Sequence, residues 1–443
     1  MENQYRERNQ KISHRHKNHF PKSPPEQLVE VMTRIYDLRL TTPSGGNISM
    51  LDEDGIMWVT PSQVDKGKLK LEDMVKIFPD GTVEGRHKPT MEYRLHQEIY
   101  RSRPDIQAVT HAHPPGLVAF SIVKHPYTFN HVPSLIPDDK PVGFSKYAIP
   151  GSVLLGQNIS TAFTGGSHSV FLENHGIITT GKTLQEAFHR IENLETLASV
   201  YIDSLRIGEI INLSAEDLKS AREFRINRNP DDNEHFIDEK ELHIRKELVK
   251  IVNRTYERKL ITAVSGCFSA SVDDTGFVIT PEGLDIKYLE PNDLVFIHEG
   301  KHEIGKTPSQ FASLHDEIYQ KHKFVHSICS AHPTSVMAFA ATATPLETHT
   351  IPESFIMLKE IPLIPFRKRL ENPEEVASII TPDIPAILLK NDCITVTGTS
   401  PFQVFDRLEV AEFTARSILN AKPIGPVKPI SHQDIDDLIK AFA

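Results

Sequence analysis

From Thr183 to about Ile207 the apolar residues Ala187, Ile191, Leu194 and Ala198 recur at helical spacing, which predicts a helix with one face on a core. A second helix is predicted over about 26–38, where Ser23 precedes Pro24 and Pro25, a residue order suited to a helix start. It leads into a Gly-rich turn. The short apolar runs ISM, GIMWVT and MVKIF then read as strands, a helix follows around 91–101, and IQAVTHAH and SVFLENHG read as further strands. Strands interleaved with helices predict an α/β class.

This succession is written twice, at a spacing of about 220 residues. VMTRIYDLRLTTPSGGNIS (31–49) is matched by IVNRTYERKLITAVSGCFS (251–269), and GIMWVTPSQVDKGKLKLEDMVKIF (55–78) by GFVITPEGLDIKYLEPNDLVFI (276–297). LHQEIYRSRPDIQAVTHAHPPGLVAFS (95–121) is matched by LHDEIYQKHKFVHSICSAHPTSVMAFA (314–340), and VFLENHGIITTGKTLQEAFHRIE (170–192) by ILLKNDCITVTGTSPFQVFDRLE (387–409). Order and spacing are kept, so the pattern is a duplication and not a solenoid, which needs three or more short units. The join falls in the polar, acidic segment NRNPDDNEHFIDEK (227–240). The expected organisation is a basic, Asn/Gln/His-rich arm over 1–22, a first domain over 23–223, a linker over 224–239 and a second domain over 240–443.

Composition narrows the function. At 443 residues, 39% hydrophobic and 24% charged, the chain is an ordinary two-domain globular protein. A net charge of -10 argues against nucleic acid as the main partner, because phosphate binding wants a basic face. No apolar run of membrane-spanning length is present, and the N-terminal residues lack the apolar stretch of a secretory signal. Three cysteines do not make a disulfide framework, so a reducing cytoplasm is expected.

Candidate chemistry concentrates at His111 and His113 in THAHPPG. On a strand, residues two apart share a face, so the two imidazoles point the same way and suit one divalent metal. His175, in ENHG, is a third candidate, and Glu92, in KPTMEYRLH, a nearby carboxylate. Among 22 histidines an HxH pair also arises by chance, and a buried, hydrogen-bonded histidine is the competing reading.

The succession SGGNIS, VTPS, KPTME, HAHP, ENHG and an Ala/Glu-rich helix resembles the class II aldolase/adducin family over nearly all of 28–207, and more faintly over 240–425. The resemblance implies a three-layer α/β/α domain around a mostly antiparallel sheet, present twice. It implies zinc, or another divalent metal, held by His111, His113 and His175, with one ion per chain. Glu92 matches the family's acid/base carboxylate, and Asn47 a residue of the substrate-phosphate loop. Gly46, Ser62 and Thr90 are the accompanying substrate-binding candidates. The implied reaction is aldol cleavage of a ketose or ketose phosphate through an enediolate, whose charge the metal stabilises. Epimerase or dehydratase chemistry on the same metal, and a non-enzymatic scaffold like the head of adducin, are the alternatives. An unrelated HxH hydrolase on a (β/α)₈ barrel is disfavoured by the duplication. His96, one helical turn after Glu92, either orients it or merely packs. Family aldolases offer Thr-Gly and Ser-Ser where this chain has Ser62-Gln63 and Thr90-Met91, so the phosphate cradle is altered.

The second copy departs further. Phe311 stands at the Glu92 position, Ser330 at His111, Asp392 at His175 and Phe268 at Asn47, while His332 matches His113. Cys267, Cys329 and Cys393 fall at the positions of Gly46, Thr110 and Gly176, where inert buried thiols are expected over a new metal or redox site. Catalysis is therefore expected from the first domain alone. The family's sites lie between subunits, so the partners expected are a small hydroxy-carbonyl or sugar-phosphate substrate and a second chain, two chains forming a four-domain ring.

Overall fold

The structure is a computed structural model that describes residues 23–124, 128–138, 140–224, 230, 235–274 and 276–442. The expected N-terminal arm and most of the expected linker lie outside the described residues. Two compact units emerge. The first ends at Ala198 and omits Asn130–Leu135; the second takes in Asn130–Leu135 and the chain from Ser199 onward.

The first unit is built on eight strands: β1 (Asn47–Leu51), β2 (Met57–Val59), β3 (Val75–Ile77), β4 (Val83–Glu84), β5 (Ala108–Ala112), β6 (Gly143–Ser145), β7 (Ser169–Leu172) and β8 (Gly176–Gly181). They form one sheet in the order β4-β3-β2-β1-β5-β8-β7-β6. Every pairing is antiparallel except β6 with β7. The second unit repeats the plan with β9 (Cys267–Ser271), β10 (Gly276–Ile279), β11 (Val295–His298), β12 (Lys301–His302), β13 (Ser327–Ala331), β14 (Leu363–Ile364), β15 (Ala386–Leu389) and β16 (Ile394–Gly398). Their order is β12-β11-β10-β9-β13-β16-β15-β14, again with one parallel pair, β14 with β15. The mixed, mostly antiparallel sheet flanked by helices, present twice, is the architecture that the resemblance implies.

Strand β5 occupies the centre and is buried at every position, so both of its faces are covered. Val109 shares its core with Leu95 and Ile99 of helix Tyr93–Ser102 and with Leu155 and Ile159 of helix Val153–Phe163. By strand alternation His111 lies on the same face as Val109, which places it beneath helix Tyr93–Ser102.

Helix Pro24–Asp37 starts as the sequence indicates. Ser23 and Glu26 form a reciprocal capping box behind Pro24. The terminal amphipathic helix runs from Leu184 to Ser204, slightly shorter than predicted. From it Glu195 accepts hydrogen bonds from the Gly116 and Leu117 amides at the start of helix Pro115–Val123. Burial pushes the Glu195 carboxyl up to about 7, above its ordinary value of 4.5. A raised carboxyl favours the protonated folded state, so its contribution is complete below pH 4.5 and is lost as pH rises through 7. Glu195→Gln should therefore gain melting temperature relative to wild type between pH 5 and pH 8. Paired thermal melts at the two pH values check this, and a pH-independent difference would contradict it.

The pairing register corrects one alignment. Asn47 pairs with His111, and Cys267 pairs with Ser330. Since Ser330 stands for His111, Cys267 and not Phe268 stands at the Asn47 position, and Gly266 at that of Gly46. Both glycines have positive φ, +68° and +96°. The ungapped match of 31–49 with 251–269 carries the same pairing, and ladder pairing then fixes the direction of each side chain.

Candidate metal centre

Three histidines converge in the first unit. One ring nitrogen from each of His111, His113 and His175 lies within 4.8 Å of the others, the only such group of His, Cys, Asp or Glu found among the described residues. His111 sits on β5 and His113 one residue past its end. His175 occupies the turn between β7 and β8, after Asn174 in the left-handed conformation. The approach is tight. A Cβ at Gly176 would lie 2.5 Å from the Ala112 carbonyl and 2.8 Å from the His113 ring, so glycine is needed where β8 passes the site. A Cβ at Gly46 would lie 2.8 Å from the His111 carbonyl.

Protonation states follow from the partners. His111 Nδ1 lies 2.9 Å from the Ile177 carbonyl, which can only accept, so Nδ1–H donates and Nε2 carries the lone pair. His113 Nε2 lies 3.1 Å from His111 Nε2. Burial and the neighbouring imidazoles push both rings down to about 3, so they are neutral at ordinary pH. Neutral imidazoles with converging nitrogens are the donor set a divalent transition metal takes.

Glu92 completes the cluster. It caps helix Tyr93–Ser102, is 8% exposed, and places Oε2 3.5 Å from His111 Nε2. Oε2 accepts a 2.7 Å hydrogen bond from Asn47 Nδ2, while Oε1 is buried with no partner in the structure. A buried carboxylate oxygen without a donor is costly unless a cation or proton meets it. The residues present thus fit a bound metal.

Of the other sequence-predicted residues, Asn47 uses both ends of its amide, since Oδ1 accepts from His96 Nε2 at 2.6 Å. His96 therefore touches Asn47. Ser62 and Thr90 lie on loops joined by the Pro61–Pro89 bridge, and the Ser62 amide donates to the Lys88 carbonyl at 2.9 Å. Gln63 adopts φ +58°, and Gly283 occupies the same place in the second unit, so this loop favours the glycine of the altered Thr-Gly pair.

Sequence reasoning passed over Lys66. Its amide donates to the Pro43 carbonyl and its Nζ to the Pro61 carbonyl at 2.5 Å, tying the SGGN loop to the TPS loop. The side chain is buried, and among the described residues no carboxylate pairs with it. Burial pushes the ammonium down to about 8. The second unit carries Ile286 at this place, with the same backbone bond to Ala263. That Lys-for-Ile contrast between the copies was the available signal.

The corresponding place in the second unit is organised differently. Asp392, at the His175 position, binds the Arg369 guanidinium at 2.5 Å and 3.3 Å. Arg369 stacks 4.3 Å from the ring of Phe311, at the Glu92 position. His332 Nε2 meets Ser134 Oγ at 2.8 Å. Cys267, Cys329 and Cys393 are buried and unpaired, and burial pushes each thiol upward, Cys267 to about 12. Buried thiols held protonated are poor nucleophiles.

A family model described as Class II Aldolase and Adducin N-terminal domain matches residues 26–202 and again 246–419. Among curated proteins, the 5-methylthioribulose-1-phosphate/5-deoxyribulose-1-phosphate aldolase of Rhodospirillum rubrum is 30% identical over 196 residues, covering 44% of this chain and 88% of the relative. The L-fuculose phosphate aldolase of Methanococcus vannielii is 31% identical over 175 residues, covering 40% and 93%. A solved L-fuculose 1-phosphate aldolase is 30% identical, with a TM-score of 0.42, covering 46% of this chain and 96% of that one.

Proposed function

This chain belongs to the class II aldolase and adducin N-terminal domain family in both of its halves, and we propose that its first unit is a divalent-metal-dependent aldolase acting on a ketose phosphate. The observation that carries the reading is the convergence of His111, His113 and His175 beside the buried, half-satisfied carboxylate of Glu92. The three histidines hold the metal, for which zinc fits the all-imidazole donor set. When bound, it supplies the Lewis acidity that draws negative charge from the carbonyl oxygen of the substrate.

The chain's own residues do the rest. Glu92 takes a proton from the substrate as the C–C bond breaks and returns it in the reverse direction, a task that needs a carboxylate free at one oxygen. Gly46, with Ser62 and Thr90 on the adjoining loops, receives the phosphate, and Asn47 holds its place beside Glu92. Lys66 places a buried positive charge behind the same loops, which favours an anionic substrate over a plain sugar. The names of the relatives support the phosphate as well.

Aldehyde release from L-fuculose 1-phosphate and 5-methylthioribulose 1-phosphate, against the unphosphorylated ketoses, tests the reading. Turnover of a phosphorylated ketose that stops with chelator is the expected result. Isomerised or dehydrated product without aldehyde would move the assignment to an epimerase or dehydratase. Lys66→Ile, which copies the second unit, should raise KM for the phosphorylated ketose on the order of tenfold. KM for the unphosphorylated ketose should stay within twofold. Equal effects on both would remove Lys66 from anion recognition.

In this reading the second unit holds no metal, because the Arg369 guanidinium neutralises the acid that replaces a histidine ligand. Catalysis then belongs to the first unit, and the retained copy serves assembly, two chains forming a four-domain ring. Buried, unpaired thiols suit a reducing cytoplasm.

A further inference from the structure

Four side chains behind Glu92 form a continuous buried chain of hydrogen bonds. Tyr100 OH meets Ser49 Oγ at 2.7 Å, Ser49 Oγ meets His96 Nδ1 at 2.6 Å, and His96 Nε2 meets Asn47 Oδ1 at 2.6 Å. Asn47 Nδ2 then donates to Glu92 Oε2 at 2.7 Å. Glu92, His96 and Tyr100 are spaced four apart and share one face of a helix, while Asn47 and Ser49 share one face of β1. Ser49 and His96 are fully buried, and Asn47 is 5% exposed.

Only one direction of donation satisfies every member while Glu92 is ionised. A carboxylate accepts, so the Asn47 amide turns its N–H to Glu92 and its oxygen to His96. That oxygen needs a donor, which fixes the His96 proton on Nε2. Nδ1 then accepts from the Ser49 hydroxyl, and Ser49, having spent its one proton, accepts from Tyr100. Burial pushes His96 down to about 3, in keeping with a neutral ring of one tautomer.

We propose that Tyr100, Ser49, His96 and Asn47 form a one-way relay whose output is the orientation of the Glu92 carboxylate, His96 and Ser49 being positioning residues for the acid/base group. The proposal rests on the aldolase reading for its kinetic consequence. The second unit is an internal control. There Ser269 Oγ meets Tyr319 OH and His315 Nδ1, each at 2.8 Å, so the input half survives. The output is redirected: His315 Nε2 meets Ser330 Oγ at 3.0 Å, and Cys267 and Phe311 replace the amide and the carboxylate. A purely structural hydroxyl contributes alike in both units, whereas a positioning one matters to catalysis in the first alone.

The test pairs Ser49→Ala with Ser269→Ala in the full chain. Loss of a partner outside the ligand set costs metal sites on the order of 10–100-fold. Ser49→Ala should therefore lower kcat on L-fuculose 1-phosphate by on the order of tenfold, with KM within twofold. Ser269→Ala should cost a similar melting temperature and leave kcat unchanged. Equal kcat losses, or none, would overturn the proposal. A second measurement needs neither substrate nor metal. In long-range ¹H–¹⁵N spectra of histidine-labelled, metal-free protein, the ring signal moved by Ser49→Ala should be a neutral Nε2–H tautomer in the wild type. A proton on Nδ1 would reverse the relay and refute it. If the wild type cleaves no ketose phosphate, the aldolase reading fails, and the tautomer alone decides the relay.

Discussion

His113→Ala should strip the metal from the chain and lower turnover by on the order of a thousandfold. Three converging imidazole nitrogens make the site, and two do not close a structural or catalytic zinc sphere. A cation held there would stabilise several kcal/mol of developing charge, and each 1.36 kcal/mol is about a factor of ten in rate. The fold should persist, because His113 lies one residue beyond β5 and is only partly buried. Metal analysis of the purified chain should give about one ion for the wild type and almost none for the variant, and the two should melt alike once both are stripped with chelator, since bound metal itself raises the melting temperature. Two firmly held ions per wild-type chain would contradict the assignment of a single metal centre to the first unit.

Glu92→Gln should separate proton transfer from metal binding. The amide keeps the size of the side chain and an oxygen for the Asn47 N–H, so the three histidines and their metal should remain. A proton acceptor is lost, and positioned acid/base groups contribute about 10²–10⁴-fold. The expected outcome is a fall in kcat of that order with unchanged metal content and little change in KM. Steady-state kinetics beside metal analysis would show it. Full turnover in the variant would exclude Glu92 as the proton carrier and shift attention to a group supplied by another chain.

The parts of the molecule that sequence reading anticipated are those written in short local patterns. His111 and His113 stand two apart at the end of β5, where the strand reading brought them together, and the written repeat reappears as two sheets of the same order. Helix Leu184–Ser204 was legible from its apolar spacing. Helix Pro115–Val123 was not, because GLVAFSIV is apolar all round and shows no stripe. The relay escaped for another reason. Ser49 and Tyr100 are unremarkable letters until β1 pairs with β5 and helix Tyr93–Ser102 packs above them, and that register is a tertiary decision. Lys66 escaped because a lysine in a polar loop reads as solvated, whereas here its backbone and ammonium close two loops on each other.

Arg369 and Asp392 form a buried ion pair, so neither residue can be replaced alone without cost. Placing a histidine at Asp392 alone would leave a guanidinium sealed in the interior without its counter-charge, a loss on the order of 3–5 kcal/mol. Removing Arg369 alone would strand the acid by the same measure.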